Sequence, residues 1–195
     1  MNGIELRIDI SGAAGALPGD LPRKTVNEAA AIAVRNLFIR NFRRKENGGG
    51  NSKGFPRSHY WAQAASATRL VDVTDEKAVV EIDHPGVALH ARGGVVRPFR
   101  AKSLAIPLRP EVYGANPREG TISGLFVIAS KKSGRALLAG KGEDGKARIY
   151  WLLLKSARVR ADPSTLPSDD DLAAAAREGA ANAVAAWTAT SGERQ

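Results

Sequence analysis

The sequence predicts an α+β fold: a mostly antiparallel β-sheet packed by a long N-terminal helix, with a second helix near the C-terminus. Three observations lead to this prediction. A segment with apolar residues at helical spacing covers residues 25–46. Short apolar runs separated by turn sequences fill the middle of the chain. An alanine-rich segment that follows a serine and three aspartates covers residues 168–187.

The size of the chain favours one domain. It has 195 residues, of which 43% are hydrophobic, enough for a single core. We therefore expect residues 1–195 to form one domain with two appendages. These are a flexible loop at 47–57, which contains three adjacent glycines, and a C-terminal helical extension at 162–195.

The N-terminal region predicts a strand followed by a long helix. Residues 4–10 alternate apolar and polar side chains, which is the strand period. Thr25 and Glu28 have the spacing of a capping box, in which each side chain satisfies a backbone amide at the helix start. The apolar face of the helix is expected to contain six residues: Ala30, Ile32, Ala33, Leu37, Ile39 and Phe42.

A short helix and a hairpin are predicted next. The segment HYWAQAASATRL, residues 59–70, is compatible with a short helix. Residues 70–83 then alternate in two runs around a turn at 74–77, the pattern of two paired strands.

The segment HARGGVVRPFRAKSLAIPL, residues 90–108, is glycine-broken and basic before it becomes apolar. Gly93 and Gly94 permit positive φ, so the chain can reverse there at little steric cost. A phosphate-binding loop would need a helix start after the glycines, whereas extended structure is predicted. We therefore expect a hairpin with its basic side chains pointing outwards.

The remaining elements are a strand meander and a helix. Three runs, ISGLFVIAS, RALLAG and ARIYWLLLK, are separated by short polar segments, one of which contains the turn pair Asp144-Gly145. The C-terminal helix has Ser168 as its predicted cap and aspartates 169–171 in its first turn. Its many alanines permit close approach by another element.

No pattern in the chain predicts a catalytic, metal or cofactor site. There is no cysteine, and His59, His84 and His90 lack the spacing of metal ligands. No serine stands in the nucleophile-elbow pattern, and the P-loop pattern is absent. Gly12, Gly15 and Gly19 do not have dinucleotide-binding spacing. We therefore expect a protein that is not an enzyme and takes no cofactor.

Charge is distributed unevenly along the chain. The formal net charge is +9, yet residues 161–195 carry 2 basic and 6 acidic groups. Such polarity is typical of a protein that contacts nucleic acid, or of a basic face on one subunit that meets an acidic face on the next. No run of about 18 apolar residues is present, so we expect no membrane partner.

Two basic clusters are candidate contact surfaces. The first is at the end of the N-terminal helix and consists of Arg40, Arg43, Arg44 and Lys45. The second is the predicted turn with Lys131 and Lys132. Three readings remain open: a solvated face that complements the helix dipole, a subunit contact, or proximity to DNA.

Several segments together resemble a known family. GFPRSHYWAQAASAT, VEIDHPGVALHARGGVVRP, AKSLAIPL and EVYG, with DPSTLPSDDDL before an alanine-rich helix, are similar to neck and tail-completion proteins of tailed bacteriophages, a virion-morphogenesis group. The similarity covers residues 54–114 and 162–185. The long basic N-terminal helix and the triple-glycine loop depart from the family pattern.

The resemblance implies a structural virion protein that is assembled in the host cytoplasm. Such a subunit forms a homo-oligomeric ring at the head-tail junction and joins the connector to the tail and neighbouring neck proteins, with DNA passing through the lumen. It points to Arg92, Gly93, Gly94, Arg97 and Lys102 as the hairpin element. The alternative reading of the chain is a basic nucleic-acid-binding protein, motivated by its charge.

Overall fold

The computed structural model describes residues 4–8, 21–48, 54–129, 134–142 and 144–192. It confirms the predicted α+β fold. The chain divides into two compact units. Unit 1 comprises Met1–Gly48, His59–Arg92 and Ala161–Gln195, and unit 2 comprises Gly49–Ser58 and Gly93–Arg160. The expectation of one folding domain, with an appended loop and C-terminal extension, stays a prediction.

Unit 1 is a three-stranded antiparallel sheet with four helices. Its elements are β1 (Ile4–Ile8), α1 (Arg23–Asn47), α2 (Tyr60–Ser66), β2 (Thr68–Val73), β3 (Ala78–Ile82), α3 (Val87–Arg92) and α4 (Asp169–Gly192). The strand order is β1-β3-β2, which confirms the N-terminal strand and the hairpin around residues 74–77. Residues 9 and 10 of the predicted first strand lie outside the described residues. Central β3 is more buried than its neighbour β2, since Ala78, Val79, Val80 and Ile82 are all buried.

The predicted capping box at the start of α1 is wrong. The helix begins at Arg23, and its N-cap residue, Pro22, makes no side-chain cap. The Pro22 carbonyl accepts from the Thr25 amide at 3.0 Å, while Asp75 in the β2–β3 turn accepts from the Lys24 amide at 3.0 Å. A residue 51 positions away thus supplies the cap that the local sequence was expected to supply.

The buried face of α1 is rotated from the predicted one. Val34, Phe38 and Phe42 lie in the core, whereas Ile32 is 40% exposed. Two asparagines are also buried on this helix, and both donate to carbonyls. Asn27 donates to Thr74 at 2.8 Å, and Asn41 donates to Thr165 at 3.0 Å. These bonds attach the helix to the hairpin at one end and to the segment before α4 at the other.

Helix α4 packs antiparallel along α1. Its start confirms the predicted cap, since Ser168 Oγ accepts from the Asp171 amide at 3.2 Å. At Gly179 the helices approach so closely that a β-carbon would lie 2.5 Å from the Ala29 carbonyl oxygen and 2.8 Å from Ala33 Cβ. The alanine-rich composition therefore permits a close helix–helix contact, as the sequence predicted.

Unit 2 is built from two antiparallel sheets. Its strands are β4 (Gly94–Val96), β5 (Leu104–Pro107), β6 (Phe126–Ala129), β7 (Ala136–Lys141), β8 (Ala147–Leu154) and β9 (Ala157–Val159). The larger sheet has the order β5-β8-β7-β6, which confirms the predicted meander, and β4 pairs with β9 alone. The buried core of unit 2 is formed by Val112, Tyr150 and Trp151.

The predicted hairpin over residues 90–108 is wrong. Its first part is helix α3, its glycines enter β4, and its apolar part is β5. Strand β4 pairs with β9, while β5 pairs with β8 in the other sheet. The glycines do adopt positive φ, 70° at Gly93 and 156° at Gly94. The chain therefore turns at the expected glycines. Strands β4 and β5 do not pair with each other, however, because each pairs with a strand more than 40 residues away.

We predict that Gly179→Ala destabilises the protein although alanine is the better helix former. The helix propensity gain is about 1 kcal/mol. The new β-carbon overlaps backbone and side-chain atoms of α1, and such overpacking costs about 1 to 3 kcal/mol. Chemical denaturation should therefore give a lower free energy of unfolding than the wild type.

Asn182→Ala is the matched control, because it improves propensity at an exposed site of the same helix. It should leave the protein equally or slightly more stable. A Gly179→Ala variant as stable as that control would contradict the close contact.

Candidate interface

The basic end of α1 is only partly available for contacts. Arg40 and Arg43 are exposed. Arg44 is exposed as well, and its Nη2 donates to Asn41 Oδ1 at 2.8 Å. With Asp171, Arg40 and Arg44 line a small cleft of about 350 Å³. Because Asp171 also lines it, the cleft is not a purely cationic surface.

Lys45 is a structural residue within unit 1. Its Nζ lies 3.4 Å from Asp162 Oδ2 and 3.0 Å from Ser164 Oγ. The same atom lies 5.3 Å from the ring centroid of Trp61, and only 18% of the side chain is exposed. Lys45 therefore attaches α1 to the segment before α4 and is not part of a free basic surface. Its sequence context, three cations in a row, gave no sign of this.

Aromatic and histidine rings gather around α2. The ring of Tyr60 meets those of His84 and His90 at centroid distances of 4.6 Å and 5.1 Å, and Trp61 lies 5.5 Å from His90. His59 Nδ1 lies 3.1 Å from Glu46 Oε1. The sequence spacing predicted no such grouping, because the histidines come from three separate segments.

Burial shifts the pKa of two side chains in this ring cluster. It raises the pKa of Tyr60 to about 12 and lowers the pKa of His90, an effect that Lys45 adds to and the Asp162 carboxylate opposes. Hydrogen bonding to Ser164 holds the pKa of Asp162 low, and the Asp162 amide donates to the His90 carbonyl at 2.8 Å. The rings of this cluster thus join α2, α3 and the segment before α4.

The residues expected in a hairpin are distributed over separate elements. Arg92 ends α3 in unit 1, and Gly93 and Gly94 lead into β4 in unit 2. Arg97 and Lys102 are exposed in the loop between β4 and β5. Lys131 and Lys132 lie outside the described residues.

That loop borders an open groove of about 720 Å³ on unit 2. Three cations line it, Arg100, Lys102 and Arg118, and no Asp or Glu is among the described residues that do so. Its floor is apolar and includes two cross-strand pairs that lie on one face of the larger sheet, Val127–Leu138 and Ala105–Leu153. Sequence reasoning missed this groove, because Arg118 and the floor residues come from distant segments.

Phe99 is the most exposed of the large hydrophobic residues that line the groove. Its side chain is 92% exposed, and the Arg100 guanidinium lies 5.6 Å from its ring centroid. Among the described residues, unit 2 contains six large hydrophobic side chains that are at least 37% exposed: Val95, Phe99, Leu108, Phe126, Val127 and Ile149. Unit 1 contains two, Ile32 and Val71. Among the side chains that the structure describes, the exposed apolar surface is therefore concentrated on unit 2.

Comparisons with known proteins add no relative: no family model, curated protein or solved structure matches the chain. Within the described part of the chain, no helix is long and apolar enough to cross a membrane. The same residues include no group of three or more His, Asp or Glu side chains placed to hold a metal ion.

We predict that His90 makes stability depend on pH near neutrality. Because burial lowers its pKa in the folded state, the unfolded chain binds more protons between that value and the ordinary pKa of about 6.5. Stability should therefore fall as the pH drops below about 7 and level off once the folded-state pKa is passed. Denaturation midpoints measured across this range should have a smaller slope in His90→Gln.

Asn182→Ala serves as the control, since it changes an exposed site that carries no titratable group. It should keep the wild-type slope. An unchanged slope in His90→Gln, or an NMR titration of His90 at or above its ordinary pKa, would contradict the effect of burial.

Proposed function

We propose that the protein is a structural subunit that assembles with copies of itself into a ring. From the resemblance of its motifs, we propose that this ring lies at the head-tail junction of a tailed bacteriophage, where it joins the connector to the tail around the DNA channel. The observation that supports assembly most strongly is the apolar surface of unit 2, with Phe99 at 92% exposure.

Exposed apolar side chains favour association because covering them removes apolar area from water. Soluble monomers rarely expose large contiguous apolar patches, and such patches commonly mark interaction sites. Aromatic side chains at the centre of an interface often supply a large share of the binding energy. Phe99 and Val127 line the same groove and are 92% and 62% exposed, so they are the leading candidates for such anchors.

The distribution of charge supports a contact between unlike surfaces of neighbouring copies. The groove on unit 2 is cationic, while residues 161–195 in unit 1 carry 6 acidic and 2 basic groups. When such a contact is repeated head to tail, it closes into a ring if the rotation between copies allows it.

The placement in a phage neck rests on the resemblance stated above. The resembling segments contribute several ordered features, among them the positive-φ glycines before β4, the strand β5 and the buried Val112 of the EVYG segment. These features belong to the fold of the chain, and the placement in a phage neck is supported by the resemblance alone.

A nucleic-acid-binding protein is the second candidate. The loop that contains Arg97, Arg100 and Lys102 surrounds an exposed Phe99, and single-strand binding surfaces combine cations with an aromatic ring on which a base stacks. This candidate predicts oligonucleotide binding that weakens steeply as salt rises, because phosphate contacts release counterions.

We predict that replacing two exposed apolar side chains, Phe99→Ser with Val127→Ser, weakens self-association on the order of tenfold or more. The midpoint of thermal unfolding should change little, because both side chains are exposed within a single copy of the protein. Sedimentation velocity over a protein concentration series, with negative-stain microscopy of the largest species, measures both assembly and ring closure.

Val71→Ser is the matched control: Val71 is 49% exposed, on unit 1. It should assemble like the wild type. A wild-type protein that stays monomeric at high concentration and with neck and connector proteins added would contradict the ring proposal.

A further inference from the structure

We propose that the groove on unit 2 receives the outward face of α4 from a neighbouring copy of this chain. This inference rests on the proposed function, because it names the contact that would link one ring subunit to the next. Two exposed surfaces of the chain match each other in charge and in side-chain size. The groove is lined by cations and apolar side chains, whereas the outward face of α4 carries carboxylates and small alanine side chains.

The groove supplies positive charge above an apolar floor. Arg100, Lys102 and Arg118 line it, and the Lys102 carbonyl accepts from Lys155 Nζ at 3.3 Å, which brings a further cation close to this loop. Val127 and Phe99 are the most exposed large hydrophobic residues of the lining, at 62% and 92%. Covering them therefore removes the most apolar area from water. A partner for this groove should combine negative charge with side chains small enough to reach the floor.

The outward face of α4 has that chemistry. Gly179 faces α1, so residues about half a turn away face solvent. Asp170, Ala174 and Ala181 lie within about 40° of that direction, and Glu178 lies about 80° from it at the edge of the same stripe. All four residues are exposed. Arg177 borders this stripe, and its Nε donates to the Ala173 carbonyl at 3.1 Å.

The geometry of the stripe matches a helix-in-groove contact. Asp170 and Glu178 are eight residues apart, about 12 Å along the helix axis. The carboxylates can therefore face separate cations at the groove while Ala174 and Ala181 let the helix backbone approach the floor closely. Amphipathic helices bind apolar grooves through side chains at this type of spacing.

A second copy fits this groove better than a nucleic acid does. Five lining residues, Leu104, Leu125, Val127, Leu138 and Leu153, are aliphatic with no polar side-chain atom. A phosphate backbone gains from the cations but leaves that floor uncovered, whereas an alanine-bearing helix face covers it. Because the groove lies on unit 2 and the stripe on unit 1, the contact joins unlike surfaces. Repeated head to tail, it generates a ring or an open chain of subunits, the arrangement that the proposed function requires.

Charge reversal on each surface tests the contact in the full-length protein. One variant combines Lys102→Glu with Arg118→Glu in the groove, and the other combines Asp170→Lys with Glu178→Lys on α4. Each should weaken self-association on the order of tenfold or more, because like charges then face each other. An equimolar mixture should recover assembly, since each reversed surface meets the complementary reversed surface of the other variant.

Two single variants act as controls for charge alone. Lys146→Glu changes an exposed cation in the β7–β8 turn, and Glu76→Lys changes an exposed acid in the β2–β3 turn. Both should assemble like the wild type in sedimentation velocity. Their thermal midpoints, and those of the reversed variants, show whether each protein is folded.

The outcomes separate this contact from the ring proposal. If the wild type forms rings and the folded reversed variants form them equally well, the contact is wrong and the ring stands. If the wild type never assembles, both are overturned. If the groove variant loses binding to a labelled single-stranded oligonucleotide while assembly is unchanged, the groove is a nucleic-acid site and the contact is overturned.

Discussion

The close contact between α1 and α4 at Gly179 is the constraint on which unit 1 depends. A residue with a β-carbon cannot take that position without moving the Ala29 carbonyl or Ala33. The contact therefore fixes the rotation of α4 about its axis, and with it the residues that face solvent. Bonds at the C-terminal end of α1 hold the same arrangement, since Asn41 and Lys45 attach α1 to the segment that leads into α4. The acidic, alanine-bearing stripe is a consequence of that packing.

The larger sheet of unit 2 has apolar residues on both of its faces. One face supplies most of the groove floor, and on the other the pair Ile106–Leu152 remains partly exposed. In the described part of unit 2 the buried core is small, with Val112, Tyr150 and Trp151 at its centre. A small core beneath a wide apolar surface gains stability when that surface is covered. This gives a physical reason for a subunit of this shape to assemble.

Local patterns in the sequence predicted the elements whose determinants are local. The meander of β6, β7 and β8 follows from alternating runs and turn residues, and the start of α4 follows from Ser168 and the aspartates after it. Features with distant partners were not predictable in this way. The Lys24 amide at the start of α1 is bonded by Asp75. Strand β4 pairs with β9, and β5 pairs with β8. Lys45 is mostly buried, beside Asp162 and Trp61. The groove was missed for the same reason, since its cations and floor come together only in the folded chain.

Cross-linking between copies tests the proposed contact most directly. The chain contains no cysteine, so Lys102→Cys with Asp170→Cys introduces the only two thiols, one on each surface. Treatment of the full-length double variant with a short bismaleimide should give a ladder of covalent multimers that ends at the ring. Lys146→Cys with Asp170→Cys is the control and should remain mostly monomeric. Monomers alone from the first pair, or equal multimer yields from both pairs, would contradict the contact.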